Sequence, residues 1–296
     1  MNIVLELSAA QVAARGVELW ASQSARVEGA RLGLVGDFSP LFRVLAQDAQ
    51  VASGRITLDR VPLSDAVAQG VAGLSLCDPP LDRHATVSEY VSLAARLAQC
   101  TAREARSRSA TVLERFGLAA LGGFRLATLN KWQQRVLGFA MATVGEPKVV
   151  CLETPFAELD AVSADHMATL LERVAERSAL LFSVGELAAL GPERSALDRC
   201  DQVLVSRAGV VTACALVDRA DRYQVSAVGN VPELRAALER AGCRLHDAPA
   251  DPYDLARTRF VAELPADAGT NLLLDTALEA GATVLELQAL PNLEHA

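Results

Sequence analysis

Residues 31–46 read Arg-Leu-Gly-Leu-Val-Gly-Asp-Phe-Ser-Pro-Leu-Phe-Arg-Val-Leu-Ala, and this stretch decides the fold class. Its first part, from Leu32 to Val35, is a short apolar run typical of a strand buried in a sheet. Apolar residues then recur with helical spacing from Leu41 to Ala46. Gly36 and the polar residues after it therefore join a buried strand to a helix, the unit from which α/β folds are built.

The connection after Gly36 lacks the residues that bind phosphate in many strand–helix units. The loop G-x-x-x-x-G-K-[ST] holds phosphates with its backbone N–H groups and its lysine. Here Gly36 is followed only by Asp37, Phe38, Ser39 and Pro40 before the helical pattern begins. The segment has neither a second glycine nor a lysine. The sequence therefore predicts the scaffold of a nucleotide site without its phosphate-binding loop.

Composition excludes several function classes. The chain has 296 residues, 51% of them hydrophobic, enough for one large domain or two unequal ones. Its net charge of −8 provides no basic surface for nucleic acid or for anionic lipid. The six cysteines include no C-x-x-C pair, which favours a reduced cytosolic protein with mostly buried thiols. No apolar run spans a bilayer and no signal peptide is recognised, so we expect membrane attachment only through a partner.

The periodicity changes along residues 1–216. Residues 1–60 read as short strands, residues 85–145 as mainly helical, and the segment after Lys148 as alternating strand and helix, which predicts a mainly parallel sheet. The predicted strands are Asn2–Leu7, Val17–Trp20, Arg31–Val35, Gly54–Leu58, Lys148–Leu152, Ala179–Ser183, Gln202–Ser206 and Val210–Ala215. The predicted helices are Leu41–Ala46, Val87–Leu97 with Thr86 or Ser88 as its N-cap, Ala102–Phe116, Trp132–Val144 and Ser163–Arg177.

After the charged segment Asp218–Arg222 the predicted elements follow the order β-α-β-β-α-β of ferredoxin-like domains. Gly242 and Gly281 stand where helix C-caps belong. We therefore predict a domain of residues 1–216 with a helical subdomain at about 85–145, a linker of residues 217–222 and a C-terminal α+β domain of residues 223–296. The C-terminal elements are predicted at Tyr223–Val228, Val231–Ala241, Cys243–Asp247, Arg259–Leu264, Thr270–Ala280 and Ala282–Leu287.

The order and spacing of landmarks in residues 1–216 resemble the ATP-binding cassette (ABC) of ABC transporters. The stretch Val-Val-Cys-Leu-Glu-Thr-Pro-Phe-Ala-Glu-Leu-Asp, residues 149–160, looks like the family's Walker B strand and D-loop. The tail, including Leu290–Glu294, is similar to the C-terminal domain of ABC-2-type exporter ATPases. The resemblance implies an α/β fold of the P-loop NTPase type, with a mixed sheet, flanking helices and a helical subdomain, followed by the ferredoxin-like domain. The remaining landmarks are Ser53–Asp59, Leu129–Arg135 and Gly145–Lys148.

The resemblance places altered residues at the family's phosphate and magnesium positions. With the helices aligned, the loop is about four residues short of the motif, Phe38 falls near the lysine, and Ser39 falls near the magnesium-binding hydroxyl. Neither Arg31 nor Arg43 replaces the missing backbone donors. The glutamine-loop position falls on Cys77, and a thiol is a poor ligand for Mg²⁺.

The catalytic positions implied by the resemblance are altered as well. Glu153 stands for the Walker B aspartate and can still coordinate magnesium if nucleotide is present. Thr154 stands for the catalytic glutamate and cannot act as a general base near neutral pH. Gly185 stands for the switch histidine.

The family's signature L-S-G-G-Q becomes Leu129-Asn130-Lys131-Trp132-Gln133. Lys131 and Trp132 replace the two glycines that let backbone amides approach the γ-phosphate bound by a partner subunit. Trp132 can alternatively anchor a partner or pack at the start of its own helix, and the sequence leaves both interpretations open.

Leu159 and Asp160 match the family's D-loop, a segment that ordinarily makes contacts between subunits. Asp160 is equally well explained as the N-cap of the helix that follows it. The sequence does not decide between these two roles.

These positions together predict a catalytically inactive ABC ATPase-like subunit, a pseudo-ATPase, with a structural or regulatory role in an ABC-2-type membrane assembly. We expect no catalytic residue, no metal site and no cofactor, with ATP and Mg²⁺ bound only if the altered site still functions. The resemblance implies an intact ABC ATPase and an ABC-2-type permease as partners in a dimer or hetero-oligomer, docked near Cys77–Ser92 at the inner face of the cell membrane.

The alternatives are a soluble protein-interaction module and an ATP-binding subunit with a non-standard site that uses Glu153 and an arginine. The sequence does not identify a transported substrate.

Overall fold

The computed structural model describes residues 2–79, 82, 84–186, 191–207, 209–214, 221–248, 257–265 and 268–290. The chain divides into two compact units, Met1–Leu187 with Ser195–Ala215, and Ala188–Arg194 with Leu216–Ala296. Residues 217–220 of the predicted linker and residues 291–294 of the tail lie outside the described residues.

An antiparallel sheet in the first unit contains β1 (Ile3–Ala14), β2 (Val17–Gly29), β4 (Gln50–Leu58) and β5 (Val61–Pro62), in the order β2-β1-β4-β5. Both β1 and β2 extend well beyond their predicted ends. In β1 the register shifts between Leu7 and Ala10, where Ala9 adopts a φ of 45°. This bulge interrupts the alternation of apolar residues, and the sequence pattern therefore showed only the first half of the strand.

The strands of the central sheet are β3 (Arg31–Val35), β6 (Ala72–Ser75), β7 (Val149–Leu152), β8 (Ala179–Val184), β9 (Gln202–Arg207) and β10 (Val210–Cys214). They lie in the order β10-β9-β3-β8-β7-β6. All neighbours run parallel except β10 and β9, so the sheet is mixed, as the fold-class prediction requires. The sequence missed β6 because Ala-Gly-Leu-Ser contains neither β-branched nor aromatic residues.

The helices of the first unit flank this sheet or form the helical segment between β6 and β7. They are α1 (Ser39–Leu45), α2 (Val87–Leu97), α3 (Ala102–Arg115), α4 (Lys131–Thr143) and α5 (Ala161–Ala175). The short α6 (Pro192–Leu197) follows β8 in the chain, and its residues are divided between the two units. Thr86 and Thr101 begin α2 and α3 with capping boxes completed by Glu89 and Glu104. Thr86, and not Ser88, is therefore the N-cap of α2.

The second unit has the ferredoxin-like order that the sequence predicted. Its elements are β11 (Asp221–Gly229), α7 (Val231–Arg240), β12 (Arg244–Asp247), β13 (Thr258–Leu264), α8 (Thr270–Ala280) and β14 (Ala282–Leu290). The strands form an antiparallel sheet in the order β12-β13-β11-β14. Val225 and Phe260 on the strands share a buried core with Leu234 and Leu273 on the helices. Gly281 ends α8 with a left-handed φ of 69°.

Candidate functional site

The connection between β3 and α1 consists of three residues, Gly36, Asp37 and Phe38. The N–H of Gly36 donates to the carbonyl oxygen of Val184 on β8 at 2.9 Å, which continues the parallel ladder beyond the end of β3. Gly36 has a φ of 104°, and a Cβ at this position would overlap the carbonyl oxygen of Ser206. The first residue of the connection is therefore bonded to β8, and the close approach of Ser206 on β9 leaves no room for a side chain.

Phe38 is a core residue. Its side chain is 1% exposed and packs edge-to-face against Trp20 on β2, with the ring centroids 5.4 Å apart. It belongs to the same buried cluster as Leu41 and Phe42 on α1. The position that the resemblance aligns with a phosphate-binding lysine thus contributes to the hydrophobic core.

A carboxylate of the chain itself lies at the start of α1. Asp37 Oδ1 accepts hydrogen bonds from the backbone N–H of Ser39 at 3.0 Å and from its hydroxyl at 2.7 Å. The N–H of Leu41 donates to the carbonyl of Phe38, and Pro40 has no N–H to donate. A helix N-terminus favours a negative charge, and here Asp37 supplies one.

The arginines considered as substitutes for the missing lysine form ion pairs elsewhere. Arg31 forms a double hydrogen bond with the carboxylate of Glu172 on α5, at 2.8 and 3.0 Å. Arg43 pairs with Asp48 at 2.8 Å. Each guanidinium therefore has a carboxylate partner within the chain.

Arg135 on α4 holds the glutamine-loop position, and sequence reasoning gave this residue no role. Its side chain is 5% exposed, and it donates to the carbonyl oxygen and the Sγ of Cys77 at 2.6 and 2.9 Å. It also lies 3.5 Å from the carbonyl oxygen of Ala157 in the D-loop segment. The available sequence signal was an arginine next to the apolar run that begins at Val136.

Glu153 follows β7 and faces Cys77. Its Oε2 accepts a hydrogen bond from the backbone N–H of Cys77 at 3.0 Å, and its own N–H donates to the carbonyl of Ser75. The Walker B position thus stabilises the chain after β6. Among the described residues, no group of three or more His, Cys, Asp or Glu side chains is arranged to hold a metal ion.

Thr154 sits in a strained conformation beside β8. Its φ of 37° is left-handed, which is uncommon for a β-branched residue, and its N–H donates to Ser183 Oγ at 3.0 Å. Gly185 follows β8 and is exposed, with open space where a Cβ would lie. Ser183 is a further contact residue that the sequence pattern did not reveal.

The altered signature begins α4. Asn130 is its N-cap. Asn130 Oδ1 accepts a hydrogen bond from the N–H of Gln133 at 2.8 Å, and Gln133 Oε1 accepts one from the N–H of Asn130 at 3.0 Å. Lys131 Nζ lies 2.9 Å from Glu158 and 3.4 Å from Asp78. The lysine therefore links the start of α4 to the segments that follow β6 and β7.

Trp132 is half-buried, and its ring lies 6.0 Å from the ring of His166 on α5. The side chain thus packs against a neighbouring helix while part of it stays accessible. This contact is consistent with the interpretation that Trp132 packs at the start of its own helix. The other interpretation, that Trp132 anchors a partner, stays a prediction.

Asp160 is the N-cap of α5. Its Oδ1 accepts from the N–H of Ser163 at 2.8 Å, and this backbone hydrogen bond lowers the pKa of the carboxyl. The helix begins at Ala161, two residues earlier than predicted. Capping alone explains this aspartate within the chain, and the contact between subunits implied for Leu159 and Asp160 stays a prediction.

The cysteines differ in their surroundings. Cys151, Cys200 and Cys243 are buried, and burial raises the pKa of the first two to about 12. Cys77 and Cys100 are only half-buried. The expectation of mostly buried thiols thus holds for the cores of both units and not for the glutamine-loop position.

Comparison with known proteins places these features in context. No family model matches the chain. Curated relatives include the taurine import ATP-binding protein TauB of Pseudomonas savastanoi pv. phaseolicola, 30% identical over 139 residues that cover 47% of this chain and 52% of the relative. TauB of Burkholderia pseudomallei is 29% identical over 191 residues, covering 62% of this chain and 70% of the relative. The chain thus spans about half the length of the first of these relatives.

Solved structures give the fold. CbiO1 of Clostridium perfringens, part of the ABC transporter complex CbiONQ, matches with a TM-score of 0.58 and 21% identity over 73% of this chain and 90% of that one. An ATP-binding subunit of an ABC transporter matches with a TM-score of 0.59 and 20% identity over 73% and 91%. The chain therefore has the fold of an ABC ATPase domain, as predicted. No helix in the described part of the chain is long and apolar enough to cross a membrane.

Proposed function

We propose that the protein is a catalytically inactive ABC ATPase-like subunit with a structural or regulatory role in an ABC-2-type membrane assembly. The observation that carries this proposal is the three-residue connection between β3 and α1, in which Phe38 is buried and Asp37 occupies the helix start. A triphosphate needs a ring of N–H donors and a cation at this place, and it would meet a carboxylate instead.

The expected loss of catalytic rate from the replaced groups favours an inactive protein over a weakly active one. Removing one charge-stabilising donor commonly costs about two to three orders of magnitude in rate. The phosphate loop, its lysine and the carboxylate general base are all replaced here, and such losses within one catalytic unit are not additive. The two lysines of the chain also have partners of their own, since Lys131 pairs with Glu158 and Lys148 with Asp59.

The proposed partners follow from the way in which ABC dimers bind nucleotide. In ABC dimers each nucleotide lies between the phosphate loop of one subunit and the signature of the other, and this chain carries neither in the family's form. We therefore assign it a non-catalytic place beside an intact ABC ATPase and an ABC-2-type permease at the inner face of the membrane. Leu93 and Leu97 on α2 and Phe124 are exposed and apolar, which suits a docking surface next to the segment Cys77–Ser92.

Calorimetry with ATP and Mg²⁺ tests the inactive site. We expect no saturable binding at millimolar nucleotide and no phosphate release. Saturable binding that a Glu153→Gln variant weakens would instead establish the second candidate, an ATP-binding subunit with a non-standard site. That candidate is favoured by the names of the relatives, all of which are ATP-binding proteins, and by the carboxylate retained at Glu153.

Purification of the tagged chain from membranes tests the assembly. We expect a multispan permease and an intact ABC ATPase to co-purify, and substitution of Leu93 and Leu97 by Ser to reduce recovery of the permease. Recovery of the chain alone from the soluble fraction, with no membrane partner, would support the soluble interaction module and contradict the transporter assignment.

A further inference from the structure

A cavity of about 270 Å³ lies in the first unit, where the C-terminal ends of α3, α4 and α5 come together. None of the residues that line it belongs to the altered nucleotide site. They are Arg115, Phe116, Thr143, Glu146, Arg173, Val174, Arg177 and Ser178.

Positive charge dominates this cavity. Of the described residues that line it, three are arginines and one, Glu146, is a carboxylate. Glu146 already pairs with Arg108 on α3 at 3.2 Å. No carboxylate of the described residues forms an ion pair with the guanidinium of Arg115, Arg173 or Arg177.

Two of the arginines, Arg115 and Arg177, repel each other. Burial lowers the pKa of Arg115, and the charge of Arg177 lowers it further, whereas Glu146 only partly offsets this effect. The protein therefore holds the partly buried Arg115 close to the like charge of Arg177, which is exposed at the mouth of the cavity. A bound anion would remove this unfavourable interaction.

Helix dipoles explain why cations collect at this end of the helices, and the guanidinium groups also carry full charges that can face a ligand. Cations are favourable in the last turn of a helix, which explains Arg115 on α3 and Arg173 on α5. Arg177 lies beyond the end of α5, and the N–H groups of Arg177 and Ser178 already donate to the carbonyl of Val174. The last turn of α4 contains no basic residue of its own, so Arg177 is the lining arginine that remains to offset the dipole of that helix end.

The other polar groups in the cavity cannot act as donors to a ligand. The hydroxyl of Thr143 donates to the carbonyls of Phe139 and Ala140, and that of Ser178 donates to Pro147 at 2.8 Å. Phe116 and Val174 supply buried apolar walls. Recognition thus rests on the guanidinium groups, whose planar forks match the oxygens of phosphate.

We propose that this cavity binds a small anion of the phosphate class, either inorganic phosphate or pyrophosphate, or the phosphoryl group of a small metabolite. The volume corresponds to about nine water molecules at about 30 Å³ each. It lies just below the range of about 300–1,000 Å³ that encloses larger ligands. A phosphate or pyrophosphate fits it, and a whole nucleotide does not.

Isothermal titration of the full-length chain with sodium phosphate and sodium pyrophosphate tests the site, at constant ionic strength in chloride. We expect one saturable site in the wild type. Arg115→Gln and Arg177→Gln should each weaken binding by about tenfold or more, because each removes a charge-assisted hydrogen bond. Arg106→Gln removes the same charge from an exposed position of α3 outside the cavity and should bind like the wild type.

Circular dichroism of each variant establishes that it is folded, and Arg115→Lys, which keeps the charge and loses the fork, should bind with intermediate affinity. Absence of saturable binding to the wild type at 10 mM, or equal affinity in Arg115→Gln and Arg106→Gln, would overturn the site. Tighter binding of malonate than of pyrophosphate would overturn its assignment to the phosphate class.

ATP serves as a separate ligand in this experiment. Its terminal phosphates can enter the cavity without the base, so the nucleotide titration is repeated with Arg115 and Arg177 both changed to Gln. Weak ATP binding that disappears in the double variant belongs to the cavity and leaves the inactive-site proposal intact. ATP binding that persists in the double variant contradicts the inactive site, and the phosphate titrations judge the cavity on their own.

Discussion

Phe38 lies where the resemblance to ABC proteins places a phosphate-binding lysine, and its side chain is part of the hydrophobic core. Where the ABC fold requires a cation that reaches outward, this chain has an aromatic ring that reaches inward to Trp20. The geometry of the connection is compatible with this ring because Gly36 is bonded to β8 and Asp37 satisfies the helix start.

Replacing Phe38 by Lys should therefore unfold the protein more readily without creating a phosphate site. We expect a loss of at least about 3 kcal/mol in the free energy of unfolding, because the change removes a buried ring and buries a charge. Urea denaturation measures the loss, and calorimetry with ATP should still show no binding. Phe124→Lys is the matched control, since Phe124 is 52% exposed and its replacement should cost less than about 0.5 kcal/mol.

The contacts of Arg135 in the structure were not predicted from the sequence. This residue adjoins a helical run that reads as apolar, yet its buried guanidinium ties Cys77 to the D-loop segment. Replacing it by Leu leaves the carbonyl of Cys77 without its donor. The free energy of unfolding should fall by about 2 kcal/mol, whereas Arg106→Leu on the surface of α3 should change it little. Equal effects of both variants in urea denaturation would contradict this structural role.

At the scale of elements, the sequence offered Thr86 and Asp160 as candidate N-caps, each beside an alternative, and the structure places both at helix starts. Thr86 and Asp160 are local signals that act within one turn of the chain, and both caps are present. The predicted ends of β1 were wrong because a bulge at Ala9 changes the face of the following residues. Strand β6 is specified by its neighbours β7 and α4 rather than by its own residues, so no local pattern revealed it.

The sequence showed which of the family's site residues are missing, but it did not show which contacts the residues present make with one another. Missing glycines and a missing lysine are visible in a linear sequence at fixed spacing. The partners of Arg135, Thr154 and Lys131 are separated from them along the chain, and only the folded sheet brings them together. Local patterns cannot encode such pairings, because they depend on the register of β7 against β6 and β8.

The capping box of α4 gives a test at this scale. Asn130→Ala removes the side-chain acceptor for the N–H of Gln133 and should lower the free energy of unfolding by about 1 kcal/mol. Asn130→Ser should retain most of the stability, because a Ser hydroxyl caps a helix equally well. Urea denaturation of both variants measures these losses, and an Asn130→Ala variant as stable as the wild type would show that this cap contributes little.

Glu172 joins β3, α5 and the segment after α6 through its bonds to Arg31 and Arg199. Burial alone would raise its pKa, but the hydrogen bonds from Arg199 and Arg31 outweigh burial and lower it from 4.5. The folded form therefore binds its proton less readily than the unfolded form. The stabilisation is present above pH 4.5 and is lost as the pH falls through the lowered pKa of the folded state.

The variant Glu172→Gln should thus be less stable than the wild type by about 1 kcal/mol at pH 7, since the pair is partly exposed. The difference should shrink as the pH falls below 4.5. Denaturation at several pH values between 7 and 3 measures it. Glu176→Gln, an exposed change at the end of the same helix, is the control. A difference that stays constant with pH would rule out the ion pair as its source.

At the scale of the whole molecule, the chain has the fold of an ABC ATPase domain, and the proposed inactivity predicts that nucleotide does not stabilise it. A ligand present at a hundred times its dissociation constant stabilises a protein by about 2.7 kcal/mol. The melting temperature of an intact ABC ATPase should therefore rise on adding ATP and Mg²⁺.

For this protein, with Arg115 and Arg177 changed to Gln to remove the phosphate cavity, we expect a shift below about 1 °C at 5 mM ATP and Mg²⁺. Removing divalent ions with EDTA should likewise leave the melting temperature unchanged. Differential scanning fluorimetry suffices, with an intact ABC ATPase as the positive control. A shift of several degrees that saturates with nucleotide would show that the chain binds ATP at a second place.

If the chain is inactive as proposed, the length of the connection between β3 and α1 makes the loss of the nucleotide site difficult to reverse in evolution. Restoring the phosphate loop requires an insertion of about four residues, which no series of point substitutions supplies. The insertion would also have to release Gly36 from Val184 and Phe38 from Trp20, so each intermediate would lose stability before it gained any affinity for nucleotide. Lineages that inherit this connection are thus expected to diversify at their surfaces while the nucleotide site stays closed.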